Sequence, residues 1–175
     1  MAKKFRFLLL DADVLIELWR RGVWKHLLTL CDITIMETVR DEAIFYEDAD
    51  GNRHDIDLGP DIASGDVKVV DVPIAEIQKL LEAVPVAWHP QMNPGETASL
   101  AWLLAQPAEP AYQLCSGDHI TFRVLGVKRR SEAGISLEEI FTSIGRVQPK
   151  LAMQFTKKYR EDNSRQGFAD GMTAS

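Results

Sequence analysis

The first apolar run of the chain, residues 5–10, is short and continuous, which is typical of a buried parallel strand. From residue 13 to residue 30, apolar side chains recur at helical spacing, with Gly22 as a weak point. The chain therefore begins with a strand followed by an amphipathic helix. Asp11 and Asp13 lie where the strand ends and the helix begins.

The same pattern of a strand followed by a helix recurs along the chain. Short β-branched or apolar runs predict the strands, and the apolar spacing after each run predicts a helix. Asn93 is a suitable N-cap for a further helix, with Pro94 at its first position and Glu96 close to capping-box spacing. The predicted strands cover residues 32–36, 67–72 and 111–116, and the predicted helices cover residues 37–46, 73–83, 93–105 and 117–125.

This alternation predicts an α/β fold, namely a three-layer α/β/α domain with a mostly parallel sheet of about five strands. Residues 132–135 are the candidate fifth strand, and a capping box at residues 136–139 opens a helix to about residue 144. We divide the chain into a domain of residues 1–145 and a C-terminal helical extension of residues 146–175. In the extension we expect a last helix over residues 150–165 and a frayed tail after it. Residues 47–65 are polar and are predicted as a long surface loop or a small excursion from the domain.

Charge is unevenly distributed along the chain. The net charge is −6, with 20 Lys and Arg against 26 Asp and Glu. Through Asp118 there are 10 basic and 20 acidic residues, which gives −10, and from His119 onward 10 basic and 6 acidic residues give +4. This is not the basic balance of a dedicated DNA-binding domain. It suits a protein that gathers carboxylates around a metal ion and holds a polyanion elsewhere, and solvated faces explain it equally well.

Two features bear on the compartment. Cys31 and Cys115 lie in apolar runs without metal or redox spacing, so a reducing environment is expected. The apolar segment near the N-terminus is interrupted by Asp11 after a few residues, and no stretch approaches the length of a membrane span. We therefore expect a cytoplasmic protein without a membrane partner.

Acidic residues follow several of the predicted strands. Asp11 and Asp13 follow the first strand, Asp118 follows the fourth, and Glu96 begins a helix. Glu37, Asp41 and Glu42 follow the second strand. Because the carboxyl ends of parallel strands share one edge of a sheet, we expect these groups to converge. Convergent carboxylates repel one another and favour a hard divalent cation, Mg²⁺ or Mn²⁺.

Four segments together resemble the acidic blocks of PIN domains, which are small metal-dependent nucleases. They are residues 8–16 (LLLDADVLI), 36–43 (METVRDEA), 94–101 (PGETASLA) and 114–118 (LCSGD). The resemblance covers roughly residues 5–145 and depends on the order and spacing of short motifs. It implies Mg²⁺- or Mn²⁺-dependent cleavage of phosphodiester bonds, in RNA rather than DNA. PIN domains are often the ribonuclease toxins of toxin–antitoxin pairs, so an antitoxin protein is an implied partner.

By this resemblance Asp11, Glu42, Glu96 and Asp118 match the four catalytic acids, and Asp11, Asp13, Glu96 and Asp118 are the candidate metal ligands. Glu37 and Asp41 remain alternatives to Glu42, which helix periodicity favours. Asp13 departs from the pattern, because many PIN domains have Asn, Ser or Thr at that position. The family pattern does not account for residues 47–65 or for the final helix.

Several other interpretations remain open. The opening segment also resembles the first motif of haloacid-dehalogenase-like phosphatases, with Asp11 as nucleophile and Asp13 as general acid/base. That family needs a later acidic pair, which does not follow Asp118 at the required distance. A catalytically inert interaction module on the same fold is a third interpretation. Each acid, taken individually, is also explained as a helix cap. The basic residues Arg123 and 128–130 form either a solvated face or a phosphate-binding surface. The last helix is a candidate surface for a homodimer or another partner.

Overall fold

A parallel sheet forms the centre of the molecule, as described by a computed structural model for residues 6–107, 111–146 and 150–173. The strands in chain order are β1 (Arg6–Leu10), β2 (Cys31–Met36), β3 (Phe45–Glu47), β4 (Arg53–Asp55), β5 (Val67–Val70), β6 (Tyr112–Cys115) and β7 (Gly134–Ile135). The five-stranded sheet of the described residues has the order β5-β2-β1-β6-β7, and all its pairs are parallel. The prediction of a mostly parallel sheet of about five strands is therefore confirmed.

Helices flank this sheet and complete the three layers. They are α1 (Ala12–Arg20), α2 (Trp24–Leu30), α3 (Glu37–Glu42), α4 (Gly59–Ser64), α5 (Ile74–Glu82), α6 (Pro94–Ala105), α7 (His119–Val127), α8 (Leu137–Ser143) and α9 (Lys157–Thr173). α6 packs across β1, β2 and β6. The strand β1 is central, and Leu8, Leu9 and Leu10 are fully buried in it, which explains the continuous apolar run. None of the described helices combines the length and the apolar character that a membrane crossing requires.

Two predicted helices are shorter than expected. The helix predicted over residues 13–30 is broken at Gly22, which has a positive φ of 66° and separates α1 from α2. The helix predicted over residues 37–46 ends at Glu42, because the chain then enters β3. The strand β3 pairs with β4 in an antiparallel hairpin, and α4 follows. Residues 47–65, predicted as a long surface loop or a small excursion from the domain, therefore form the second of these.

The C-terminal segment differs most from the prediction. Its helix is α9, Lys157–Thr173, and it is preceded by a 3₁₀ turn at Met153–Phe155. The frayed tail predicted after residue 165 is wrong up to Thr173, because α9 packs closely along α7. A Cβ added to Gly167 would lie 2.1 Å from the Arg123 carbonyl oxygen, and one added to Gly126 would lie 2.2 Å from the Ser164 carbonyl oxygen. Only glycine permits this approach of the two helix backbones. Pro149, the predicted start of the helix, lies outside the described residues.

Candidate active site

Asp11 lies at the carboxyl end of β1 and caps α1. Its Oδ1 accepts a hydrogen bond of 2.9 Å from the Ala12 backbone N–H, and its Oδ2 accepts one of 3.0 Å from the Ser116 hydroxyl. The residue is only 6% exposed. The structure thus places Asp11 at the sheet edge expected from the sequence and joins it to the loop after β6.

Ser116 and Thr121 connect Asp11 to Glu96. The Ser116 Oγ accepts a hydrogen bond of 3.0 Å from the Asp118 backbone N–H and lies 3.3 Å from the Thr121 Oγ1. The Thr121 hydroxyl donates to Glu96 Oε1. Two hydroxyl groups therefore bridge two carboxylates that belong to different elements of the fold.

Glu96 is in the first turn of α6 and is 1% exposed. Its backbone N–H donates to the Asn93 side chain at 2.8 Å, which confirms Asn93 as the N-cap. The Asn93 backbone N–H also acts on the Glu96 carboxylate and lowers its pKa. One of its oxygens accepts from Thr121, whereas Oε2 is buried and has no hydrogen-bond partner in the described part of the chain. A buried carboxylate oxygen without a partner carries a substantial energetic cost.

Asp118 caps α7 and is more accessible. Its Oδ1 accepts a hydrogen bond of 3.0 Å from the Ile120 backbone N–H and lies 3.1 Å from the His119 Nδ1. The Asp118 side chain is 30% exposed. The Nε2 of His119 is 3.3 Å from the Gln91 Oε1, so the imidazole lies between the side chains of Asp118 and Gln91.

The three acids around α3 have different surroundings. Glu37 and Asp41 both form ion pairs with Arg40, at 3.6 Å and 2.9 Å. Glu42 instead lies against the start of α6, because a Cβ added to Gly95 would be 3.3 Å from the Glu42 Oε2. Of the three, Glu42 is the residue that lies against Gly95 and whose charge acts on Asp11. Asp13 lies on the exposed first turn of α1.

The acids influence one another electrostatically. Burial raises the pKa of Glu96 to about 8, and the charges of Asp118 and Asp11 add to this rise against the opposing Thr121 hydrogen bond. Burial likewise raises the pKa of Asp11 to about 6, with Asp13 and Glu42 as further contributors. The hydrogen bonds from Ala12 and Ser116 act in the opposite direction on Asp11. All five candidate acids thus belong to one negatively charged cluster.

A groove of about 440 Å³ passes beside this cluster. Asp13 and Glu42 lie along it, with Phe45 and Tyr46 of the hairpin on one side and Gln154 and Phe155 of the C-terminal segment among its other lining residues. Phe155 packs against the loop that carries Asp118, since a Cβ added to Gly117 would be 2.9 Å from its ring. The hairpin and the C-terminal segment therefore both help to form the groove. The PIN-domain pattern accounts for neither of them.

The donor atoms of the acid cluster are carboxylate oxygens, which are the ligands that a hard divalent cation prefers. As placed, no three His, Cys, Asp or Glu side chains of the described residues form a ready metal-binding group. Mg²⁺, however, commonly uses only one or two carboxylates and keeps several waters. The all-oxygen donor set, the mutual repulsion of the acids and the unpartnered Glu96 Oε2 fit such a hard cation.

Three residues near the site were not singled out from the sequence: Thr121, Tyr46 and Gln154. Thr121 follows Asp118 by three residues and so lies near it on the helix surface, which is a signal that the sequence does contain. Tyr46 and Gln154 had no such signal, because the sequence predicted both in helices, whereas they lie in β3 and in the 3₁₀ turn at Met153–Phe155. The two cysteines are buried, and the Cys115 carbonyl accepts a hydrogen bond of 3.1 Å from the Asp11 backbone N–H.

The chain matches no protein-family model, and comparisons with curated proteins and with solved structures gave no match.

Proposed function

We propose that the protein is a Mg²⁺- or Mn²⁺-dependent nuclease that cleaves phosphodiester bonds in single-stranded RNA. The observation that carries this proposal is the Glu96 Oε2, a buried carboxylate oxygen that has no hydrogen-bond partner among the described residues while the charges of Asp118 and Asp11 act on Glu96. Asp11, Glu96 and Asp118 would hold the cation, and Glu42 and Asp13 would complete the acidic cluster. A bound Mg²⁺ or Mn²⁺ supplies Lewis-acid chemistry, which lowers the pKa of water and stabilises charge on a leaving oxygen.

The protein's own residues position the acids. Ser116 and Thr121 hold the Asp11 and Glu96 carboxylates in fixed orientations through their hydroxyl groups. The N-caps of α1 and α7 fix Asp11 and Asp118 further, since each carboxylate accepts a backbone N–H. Such support from surrounding hydrogen bonds is what a catalytic carboxylate needs to keep its geometry.

The groove supports a nucleic-acid strand as the substrate. It is lined by the aromatic side chains of Phe45 and Tyr46, on which bases can stack, and by the amide of Gln154. The preference for RNA, a toxin role and an antitoxin partner rest on the PIN-domain resemblance alone.

The decisive experiment compares two substrates and two variants. Purified protein with Mn²⁺ is incubated with single-stranded RNA and with a small phosphomonoester. We expect cleavage of the RNA only, and we expect Asp11→Asn to lower it by about a hundredfold or more, because a metal ligand contributes several kcal/mol to the barrier. Asp50→Asn, which makes the same charge change in the exposed turn of the hairpin, is the matched control and should retain activity.

The other outcomes point to the remaining interpretations. Release of phosphate without RNA cleavage would replace the nuclease with the phosphatase that uses Asp11 as nucleophile and Asp13 as acid/base. Activity on neither substrate would favour the inert interaction module.

A further inference from the structure

A second cavity, of about 350 Å³, lies at the far end of α6 from the acids. α6 begins beside the acid cluster at Pro94 and ends at Ala105, and its 12 residues span roughly 18 Å at 1.5 Å per residue. The cavity is bounded by α5, by the last turns of α6 and by the end of α7. None of the candidate acids lines it. It is therefore a separate site from the groove described above.

The floor of this cavity is aliphatic. Its apolar lining residues are Leu80, Ala83, Ala101, Leu104 and Ala105. Among the residues that the structure describes, no ring, hydroxyl or amide side chain lines it. Its volume falls within the range of about 300–1,000 Å³ that is usual for small-molecule sites. Such a floor suits an alkyl chain, and it would leave the polar edge of a nucleobase without hydrogen-bond partners.

Positive charge surrounds the aliphatic floor. Within the described part of the chain, the cavity is lined by three basic residues and one acid, namely Lys79, Lys128, Arg130 and Glu76. Lys79 lies 3.8 Å from Glu76, and Arg130 pairs at 2.9 Å with Glu132, which lies outside the lining. The Lys128 ammonium, in contrast, forms neither a hydrogen bond nor an ion pair with any described residue. Burial, with a contribution from Lys79, lowers the pKa of Lys128.

The turn after α7 separates the basic cluster of residues 128–130. Arg129 adopts a positive φ of 55°, a conformation that glycine usually takes at the end of a helix. Its guanidinium lies 5.7 Å from the Phe168 ring of α9, whereas Lys128 and Arg130 line the cavity. The backbone thus directs two of the three basic side chains toward the aliphatic floor.

The ends of the neighbouring helices explain part of this charge. Lysine near a helix C-terminus interacts favourably with the helix dipole, and Lys79 and Lys128 lie at the ends of α5 and α7. This does not explain why the two lysines share a cavity with an aliphatic floor. Lysines that only compensate the helix ends would be more stable apart from each other.

We propose that this cavity binds a small amphipathic anion, a phosphate or carboxylate group on a single alkyl chain, with the anionic group between Lys79 and Lys128 and the chain on the Leu80 and Leu104 side chains. Binding would relieve the repulsion between the lysines and bury apolar surface at once. This site is independent of the proposed nuclease, since it shares no residue with the acid cluster.

The test titrates the full chain, labelled with ¹⁵N, with four probes: octyl phosphate, octanoate, octanol and inorganic phosphate. We expect the two alkyl anions to shift backbone amide signals of residues 79–83, 101–105 and 128–130. Octanol lacks the charge and inorganic phosphate lacks the chain, so each should bind about tenfold more weakly or worse. A stronger response to octyl phosphate or to octanoate identifies which head group the lysines prefer, and either supports the proposal.

Two variants test the two halves of the site. Lys128→Gln removes the unpaired cation, and Ala105→Leu fills the cavity from the exposed end of α6 without changing any charge. Each should weaken octyl phosphate binding about tenfold. Lys68→Gln makes the same charge change on β5, at an exposed lysine outside the cavity, and should bind as the wild type does. The proposal would be overturned if wild type and Lys128→Gln bound octyl phosphate equally, or if octanol bound as tightly as octyl phosphate. The amide spectrum of each variant shows whether that variant is folded.

Discussion

The Ser116 hydroxyl donates a 3.0 Å hydrogen bond to the Asp11 carboxylate, and so connects the loop after β6 to the end of β1. The two residues are 105 positions apart in the chain. The same Ser116 oxygen accepts the Asp118 backbone N–H. One small side chain thereby orients two of the acids that we propose as metal ligands.

Replacement of Ser116 by alanine should therefore affect both stability and the charge of Asp11. The variant leaves the buried Asp11 oxygen and the Asp118 N–H without their partner, which should cost about 1–3 kcal/mol of unfolding free energy. Because the Ser116 hydrogen bond lowers the Asp11 pKa, its loss should raise that pKa further and move the low-pH limb of nuclease activity to higher pH. Urea unfolding measures the loss of stability, and the rate of RNA cleavage as a function of pH measures the shift in the Asp11 pKa.

Ser99→Ala provides the matched control. Ser99 is also fully buried, but its hydroxyl has no hydrogen-bond partner among the described residues. Its removal should leave stability unchanged or higher, since alanine is also the better helix former in α6. Equal losses in the two variants would contradict the structural difference between these serines.

The raised pKa of Glu96 predicts that the metal-free protein loses stability as pH rises. Between the ordinary carboxyl value of 4.5 and about 8, the folded state holds a proton on Glu96 that the unfolded state has released. The unfolded state then binds fewer protons, so the free energy of unfolding falls with increasing pH and is lowest above about 8. Each pKa unit corresponds to about 1.4 kcal/mol at most.

Denaturation in EDTA at about pH 6.5 and about pH 8.5 isolates this effect, since Asp11 has mostly ionised by the lower of the two values. Glu96→Gln should remove most of the decrease and be the more stable protein at the higher pH, because its amide carbonyl still accepts from Thr121. The same variant should lose Mn²⁺-dependent cleavage. A wild-type protein whose stability does not fall over this interval would show that Glu96 is ionised throughout.

The sequence predicted the sheet because buried parallel strands have a distinctive pattern. In β1, Leu8, Leu9 and Leu10 point to alternate faces of the sheet and are all buried. The strand therefore appears in the sequence as a continuous apolar run. The hairpin was missed because Arg53, His54 and Asp55 of β4 are all exposed and polar, and so contain no apolar pattern. The last residues of α9 were missed because Gly167 and Gly171 are poor helix formers, and their helix is stabilised by contact with α7.

The candidate site was predictable to a similar extent. A parallel sheet brings the ends of its strands to one edge, so the neighbourhood of Asp11 and Asp118 followed from the strand assignments alone. The hydroxyl bridge through Thr121 depends on side-chain rotamers, which no spacing rule provides. The choice among Glu37, Asp41 and Glu42 likewise depended on which of them Arg40 engages.

The contact between α7 and α9 predicts a large difference between two glycines of the same helix. Gly167→Ala places a Cβ 2.1 Å from the Arg123 carbonyl oxygen, and the backbone there cannot yield without separating the helices. We expect a loss of about 3 kcal/mol or more. In Gly171→Ala the nearest atom is at 3.4 Å, an ordinary contact, so the variant should gain up to about 1 kcal/mol from helix propensity. Thermal unfolding of both variants measures this, and equal effects would exclude the close packing of α9 on α7.

The position of Glu42 against Gly95 predicts that Glu42, rather than its neighbours, is the second acid of the site. Glu42→Gln keeps the shape of the side chain and removes its charge beside Asp11, and it should lower Mn²⁺-dependent cleavage about tenfold or more. Asp41→Asn makes the same charge change at the next residue, where the carboxylate pairs with Arg40 and is exposed, and it should leave cleavage unchanged. Rates on single-stranded RNA at saturating Mn²⁺ provide the comparison. A loss of activity in Asp41→Asn with full activity in Glu42→Gln would transfer the role to Asp41 and require α3 to rotate from its position in this structure.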